Sequence, residues 1–242
     1  MKAYLMPPTT ILAFHAEKLH DERVWRRVKK MAIWMAQRNW RATFFVYPFR
    51  AQVAGREIAD RVQTLATLGH EIGQHTHFYA DTRIDKPNKM DDLSEENVLH
   101  CVQRDFETLG QMGFTPQGFT SGAWLVESTL PEVLIDLGFV YDCSARLPTS
   151  TEISHSPYHR WLSSPQYHVN TTGRLLCLPT TCSLGEWFKW RHKKANAILY
   201  QLVYLHDYDL LTVRNYVLLY AFFTLLKKSV FISGRTLAEK LL

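Results

Sequence analysis

The chain has 242 residues, of which 46% are hydrophobic and 21% are charged. This composition is that of an ordinary globular protein and excludes disorder as a bulk property. The formal net charge is +5 and the sequence pI is about 9.0, which favours anionic partners. No basic helix, zinc finger or RNA-type aromatic signature accompanies the charge, so nucleic acid is not an expected partner.

Strand-like apolar runs alternate with helical patterns along the chain. The first half predicts strands at 9–14, 43–47, 118–121 and 139–141 and helices at 21–40, 55–68, 94–112 and 129–137. The second half predicts strands at 175–178, 201–205 and 229–232, a mixed helix at 185–200 and a helix at 212–227. This alternation indicates an α/β fold with a mostly parallel sheet, in one domain over residues 1–242.

The polar stretch 144–172 interrupts this rhythm, and we interpret it as a long loop or insertion beside the active face. Seven or eight strand candidates favour a closed or nearly closed β/α barrel over an open sheet.

The four cysteines have no Cys-x-x-Cys spacing and lie on apolar segments. This pattern predicts buried free thiols in a reducing compartment. The first residues lack the apolar region and cleavage site of a secretory signal, so a cytoplasmic location is expected.

The longest apolar run, at 216–226, is too short for the ~20 residues of a membrane span. It predicts a buried core helix. Because Arg214 precedes it and Lys227 and Lys228 follow it, a helix over 212–228 lying on an anionic membrane surface is an alternative, as peripheral membrane contact.

Three histidines and a glutamate fall within residues 69–77, directly after a predicted helix. On an extended strand His75 and His77 leave the same face, so two imidazoles can converge on one cation. His15 and Glu17 repeat this two-residue spacing at the end of the first apolar run, and His206 ends a later one. The sequence therefore predicts a metal site built from strand ends.

Four segments occur in an order that resembles the polysaccharide deacetylase family of carbohydrate esterases. They are TFFV at 43–46, LGHEIGQHT at 68–76, LGFVYDCS at 137–144 and VYLH at 203–206. The resemblance implies a distorted (β/α) barrel with about seven parallel strands and an active site at their carboxyl ends. It also implies a metal-dependent hydrolase, with zinc the expected metal, that removes an acetyl group from an N-acetylated amino sugar.

The first family motif ends in two aspartates, a general base and a metal ligand, but here the strand reads LAFHAE at 12–17. His15 falls at the base position and Ala16 at the ligand position. Glu17 is the candidate replacement ligand, since it lies on the same strand face as His15. The family's second ligand histidine would stand at Tyr79, so His77 takes that role beside His75.

The third motif, GFTSGAW at 118–124, has Thr120 where the family has an arginine, and Trp124 as a candidate sugar-stacking wall. We expect Thr120, Trp124 and Asp142 to bind substrate. The resemblance makes His206 the general acid.

His15 or Asp21 is the candidate base, and Asp207 or Asp142 is a candidate to orient an imidazole. Because the motifs are altered, a catalytically silent barrel that binds a glycan is the main alternative. The peripheral membrane protein of polysaccharide biosynthesis is a further one.

Overall fold

The computed structural model describes residues 9–48, 55–81, 88–148, 157–190 and 200–241. Its helices are α1 (Glu22–Ala36), α2 (Arg56–Thr67), α3 (Glu95–Gln111), α4 (Leu130–Asp136), α5 (Leu184–Trp190), α6 (Val213–Leu225) and α7 (Gly234–Leu241). Short 3-10 turns cover Gly122–Trp124 and Asp207–Leu211. None of the described helices combines the length and the apolar character that crossing a bilayer requires.

The strands form one large sheet and one small hairpin. In chain order they are β1 (Thr9–Ala16), β2 (Thr43–Val46), β3 (Glu71–Thr76), β4 (Tyr79–Asp81), β5 (Asn88–Asp91), β6 (Gly118–Ser121), β7 (Tyr141–Asp142), β8 (Gln166–Val169), β9 (Arg174–Cys177), β10 (Cys182–Ser183), β11 (Tyr200–His206) and β12 (Val230–Phe231). Strands β4 and β5 pair with each other.

The large sheet has the order β10-β11-β1-β2-β3-β6-β7-β9-β8, and β12 pairs with β1. The run from β11 to β9 gives seven neighbouring strands that pair in parallel, and β8 is antiparallel to β9. The sheet curls into a half-barrel with helices outside it. The predicted distorted β/α barrel with about seven parallel strands is thus confirmed.

The two-residue period of β1 separates the inside of the barrel from the outside. Ile11 and Ala13 belong to an interior cluster, whereas Leu12 and Phe14 pack into the layer that includes α1 and α6. His15 has the same parity as Ile11, so its side chain joins the interior at the carboxyl end of the strands.

Two sequence predictions differ from the structure. The stretch 144–172 contains β8, which pairs antiparallel with β9, so it is not only a loop. The strand predicted at 139–141 begins two residues later in the structure, as Tyr141–Asp142. Gly138 and Phe139 instead close α4, since their N–H groups donate hydrogen bonds to the backbone oxygens of Ile135 and Leu134.

The buried core helix predicted at 216–226 is only half buried, because Val217, Tyr220 and Leu225 of α6 are exposed. Residues 191–199 of the predicted mixed helix lie outside the described residues. All four cysteines are free and buried, as predicted: Cys101, Cys143, Cys177 and Cys182.

Candidate metal centre

Three parallel strands end at one edge of the barrel and bring five polar side chains together there. His15 closes β1 and lies in register with His206, the last residue of β11. Glu17 follows β1, while His75 lies on β3 and His77 directly follows it. The spacing of the sequence motifs therefore becomes a three-dimensional cluster.

The carboxylate of Glu17 lies at the centre of this cluster. Its Oε1 atom is 3.4 Å from His75 Nε2, 3.5 Å from His77 Nε2 and 3.6 Å from His206 Nε2. The ligand atoms of Glu17, His75 and His77 all lie within 4.8 Å of one another. In a tetrahedral zinc site with bonds of ~2.0–2.1 Å, neighbouring ligand atoms are about 3.3–3.4 Å apart. The distances from Glu17 to His75 and to His77 are both close to this value.

Hydrogen bonding leaves two nitrogen atoms aimed at the carboxylate without a partner. His75 Nδ1 lies 2.9 Å from the backbone oxygen of Thr120 and donates its proton there. In the neutral ring Nε2 then carries a lone pair, which faces the negative oxygen of Glu17. The Nε2 atoms of His75 and His77 are both buried without a hydrogen-bond partner among the described residues. A cation between these groups would satisfy all three, so the residues present fit a divalent metal.

The charge states suit metal binding. Burial lowers the pKa of His75, which keeps the ring neutral near pH 7. An anionic oxygen and a neutral imidazole are the forms that zinc binds.

His15 and His206 have opposite charge preferences although their rings are only 5.3 Å apart. Burial, followed by the proximity of His75 and His206, lowers the pKa of His15 well below its usual value. Burial also opposes the charge on His206, but the carboxylates of Asp209 and Glu17 raise its pKa above the usual value. The two neighbouring imidazoles therefore favour different protonation states.

Solved structures of other proteins share the fold of this chain. No family model and no curated protein matches the sequence. A protein of Mycobacterium smegmatis assigned to the polysaccharide deacetylases has a similar structure, with a TM-score of 0.68, 16% identity, and coverage of 98% of this chain and 92% of that one. The fold is thus shared over nearly the whole of both chains. The chain has the polysaccharide deacetylase fold.

Two other structures with this deacetylase fold extend the comparison. An allantoinase matches with a TM-score of 0.66 and 15% identity, over 96% of this chain and 88% of that one. A mutant of a carbohydrate esterase family 4 pseudoenzyme, with restored enzymatic activity, matches with a TM-score of 0.55 and 12% identity, over 96% and 67% of the two chains. At these identities the likeness establishes the fold.

The altered positions of the deacetylase motifs have structural substitutes. The side chain of Ala16 is buried and has no polar atom that could bind a metal. Glu17, the next residue, reaches the cluster instead. Tyr79, at the position of the family's second histidine, stacks on His77 with ring centroids 4.9 Å apart. The two candidate ligands therefore lie one residue after Ala16 and two residues before Tyr79.

A strained turn after β6 places an aromatic wall over His15. Ala123 and Trp124 have φ angles of 52° and 62°, in the left-handed region that non-glycine residues rarely adopt. This turn sets the Trp124 ring 5.3 Å from His15 and 4.8 Å from Tyr204. The Arg146 guanidinium lies 5.3 Å from the centre of the same Trp124 ring.

Asp142 supports that turn from behind. It is buried and accepts hydrogen bonds from the backbone N–H and the hydroxyl of Ser144. The Ser144 oxygen in turn accepts from the N–H of Ser121, which precedes the turn. The predicted substrate contact of Asp142 therefore has no direct geometric support, and the observed contacts give it a positioning role.

Two further predicted site residues make structural contacts. Thr120 is completely buried and contributes its backbone oxygen to His75. Asp21 caps the N-terminus of α1 through the N–H of Arg23 and also pairs with that side chain. We therefore carry only His15 forward as the candidate base.

The remaining polar residues of the LGHEIGQHT segment are structural. His70 bridges the backbone of Ala42 and Ala32, at 3.2 and 3.0 Å. Glu71 accepts hydrogen bonds from Thr43 and Tyr141 at the opposite, amino end of the strands. His75 of this segment and His77, the residue that follows it, belong to the cluster.

Sequence reasoning missed several residues that shape the site. Asp209, rather than Asp207, contacts His206: its Oδ2 lies 3.6 Å from His206 Nδ1, whereas Asp207 accepts from the backbone of Lys18 and Tyr208. The i,i+3 spacing of His206 and Asp209 was an available signal. Arg146 and Tyr204 carried no comparable signal, because their contacts with Trp124 are made only in the folded barrel.

Gly122 leaves the space that the His77 ring occupies. A Cβ atom at Gly122 would lie 2.3 Å from His77 Nδ1, so Gly122→Ala must displace that imidazole. We expect zinc affinity to fall about 10–100-fold, as when a ligand loses its orientation, with the fold retained. Zinc titration monitored by calorimetry measures this change.

Gly110→Ala is the matched control, because Gly110 lies within α3 and no atom lies within 4 Å of its would-be Cβ. It should leave zinc affinity unchanged and stabilise α3 by up to ~1 kcal/mol. Equal zinc affinities of the two alanine variants would contradict the assigned position of His77.

Asp142 predicts a pH-dependent stability. Burial raises its pKa to about 6 in the folded protein, against ~3.9 in an unfolded chain. Because the pKa of Asp142 is higher in the folded state, its protonated carboxyl group contributes to the free energy of unfolding. That contribution is fully present below pH ~3.9 and is lost as the pH rises through 6. We expect the decrease in the free energy of unfolding with rising pH to be about 3 kcal/mol smaller in Asp142→Asn than in the wild type.

Urea unfolding at a series of pH values between 4 and 7 measures that slope. Asp136→Asn, at an exposed position, serves as the control and should keep the wild-type slope. A wild-type slope in Asp142→Asn would contradict the role of the buried carboxyl group.

Proposed function

We propose that this protein is a metal-dependent hydrolase that removes the acetyl group from an N-acetylated amino sugar in a glycan or glycan precursor. The observation that carries the proposal is the convergence of Glu17, His75 and His77, with two unpartnered imidazole nitrogens aimed at one carboxylate. The shared fold with polysaccharide deacetylases gives the acetamide as the expected bond.

Glu17, His75 and His77 would hold the metal, expected to be zinc. When bound, it supplies a positive charge that lowers the pKa of water and stabilises negative charge on the acyl oxygen. The Thr120 carbonyl keeps His75 in the tautomer that presents Nε2.

His15 is the proposed general base. Burial lowers its pKa, which leaves the ring neutral, and two aromatic rings hold it in place: Tyr204 stacks on it at 5.2 Å and Trp124 lies 5.3 Å away. The ring would take one proton from the attacking water as the new C–O bond forms.

His206 is the proposed general acid. Asp209 and Glu17 raise its pKa against the effect of burial, which favours a protonated ring that would give its proton to the amide nitrogen. Breaking the C–N bond then releases acetate and a free amine. Trp124 would stack on the sugar face and fix its position.

Acetate release from N-acetylated oligosaccharides tests the proposal. We expect release that a chelator abolishes and that zinc restores. Absence of release from a panel of N-acetylglucosamine-containing glycans, under zinc-loaded conditions, would contradict the enzymatic function.

A second candidate function is glycan binding without hydrolysis. It is favoured by the loss of both motif aspartates at His15 and Ala16 and by the similar fold of the wild-type form of the carbohydrate esterase family 4 pseudoenzyme, at a TM-score of 0.51 and 11% identity. Saturable glycan binding that Trp124→Ala weakens, with neither acetate release nor bound metal, would select this function over the hydrolase.

A further inference from the structure

Helix α6 carries an apolar stripe on its solvent face. Val213 is 78% exposed, Val217 58% and Tyr220 65%. At 100° per residue these positions and Thr224 fall within an arc of about 60° on one side of the helix. An exposed, contiguous apolar stripe of this kind marks an interaction surface.

The opposite face of α6 is already occupied by the core. Leu219, Phe222 and Phe223 are buried in the cluster that also contains Phe231. The helix therefore has two apolar faces, of which packing within the protein explains only one. This explains why the sequence pattern predicted a buried helix.

Exposed cations border the apolar stripe. Arg214 lies near its beginning, and Lys227 and Lys228 follow the end of the helix. On the neighbouring helix α1, the Arg27 guanidinium lies 4.8 Å from the centre of the Tyr216 ring, so α1 adds positive charge beside α6. Long cationic side chains can extend from an apolar face to a polar boundary.

The two neighbouring helices carry an excess of positive charge. Helix α1 contains five Lys and Arg residues and one acid, Glu22, which pairs with Arg26. Helix α6 contains Arg214 and no acid, and Lys227 and Lys228 follow it.

We infer that α6 docks this protein on an anionic lipid surface. The stripe of Val213, Val217 and Tyr220 would enter the boundary between acyl chains and headgroups, with Arg214, Lys227 and Lys228 at the lipid phosphates. Tyrosine suits this boundary because its ring is apolar and its hydroxyl is polar.

Charge complementarity decides between lipid and a second copy of the chain. A two-fold dimer through α6 would place the same cationic rim against itself, which is repulsive. Nucleic acid would supply phosphates but leave the apolar stripe without a partner. Anionic lipid matches both parts of the surface, and this inference does not rest on the hydrolase activity.

Vesicle co-sedimentation tests the inference, with vesicles of phosphatidylcholine alone or with 30% phosphatidylglycerol as the probe. We expect the intact protein to bind the anionic vesicles and to be released at high salt. Val217→Asp should abolish binding, and Arg214→Gln with Lys228→Gln should weaken it roughly fivefold per cation removed.

Val169→Asp is the matched control, because Val169 is 68% exposed but lies on β8. It should bind vesicles like the wild type. Val217→Ser repeats the test without a new charge, and unchanged melting temperatures confirm that both Val217 variants are folded.

Three results would overturn the inference: no binding to anionic vesicles, equal binding to neutral vesicles, or equal loss in the Val169 control. Sedimentation velocity adds a fourth. A dimer that Val217→Asp dissociates would make this face an interface between copies of the chain.

Discussion

Replacing His206 with alanine is expected to lower kcat by about 10²–10⁴-fold while zinc remains bound. The variant removes the proton donor, so the departing amine must leave without assistance. Glu17, His75 and His77 keep their positions, since His206 lies beside them and does not hold any of them by a hydrogen bond in the described contacts. Acetate release and zinc content, measured on the same preparation, separate the two effects.

His168→Ala is the control for this prediction. His168 also faces a carboxylate, 2.6 Å from Glu132, but it lies on β8 and takes no part in the cluster. Its replacement should leave kcat unchanged. If the two alanine variants retain equal turnover, His206 is not the acid.

Replacing Glu17 with glutamine is expected to weaken zinc binding at least ~100-fold. The substitution keeps the shape of the side chain but removes the negative charge that faces His75 and His77. Metal content after dialysis against a weak chelator measures the loss. Activity should fall in parallel, because the Glu17 carboxylate is needed to bind the metal and the proposed reaction needs the metal.

Glu132→Gln is the matched control, since it changes a carboxylate that pairs with a histidine outside the site. It should retain wild-type zinc content. A wild-type zinc content in Glu17→Gln would show that Glu17 is not a metal ligand and does not replace the aspartate that is missing at Ala16. Glycan binding without hydrolysis would then be the better-supported function.

The strand ends were the part of the site that the sequence predicted well. His15 and Glu17, and likewise His75 and His77, are two residues apart, and strand geometry alone puts each pair on one face. Parallel pairing then brings the carboxyl ends of β1, β3 and β11 to one edge. Local spacing and fold class were therefore sufficient for these side chains.

The surroundings of the cluster could not be predicted in the same way. The left-handed turn at Ala123 and Trp124 depends on Ser144 and Asp142, which come from the next strand along the sheet. The exposed face of α6 could not be predicted from the sequence either. Both faces of this helix are apolar, so the hydrophobic pattern does not distinguish the buried side from the exposed one.

One metal ion should lie between Glu17, His75 and His77. Anomalous diffraction at the zinc edge, on crystals grown with zinc, would locate it. We predict a peak ~2.0–2.2 Å from Glu17 Oε1 and from the Nε2 atoms of both histidines. No peak between these three side chains, in crystals that bind zinc elsewhere or not at all, would contradict it.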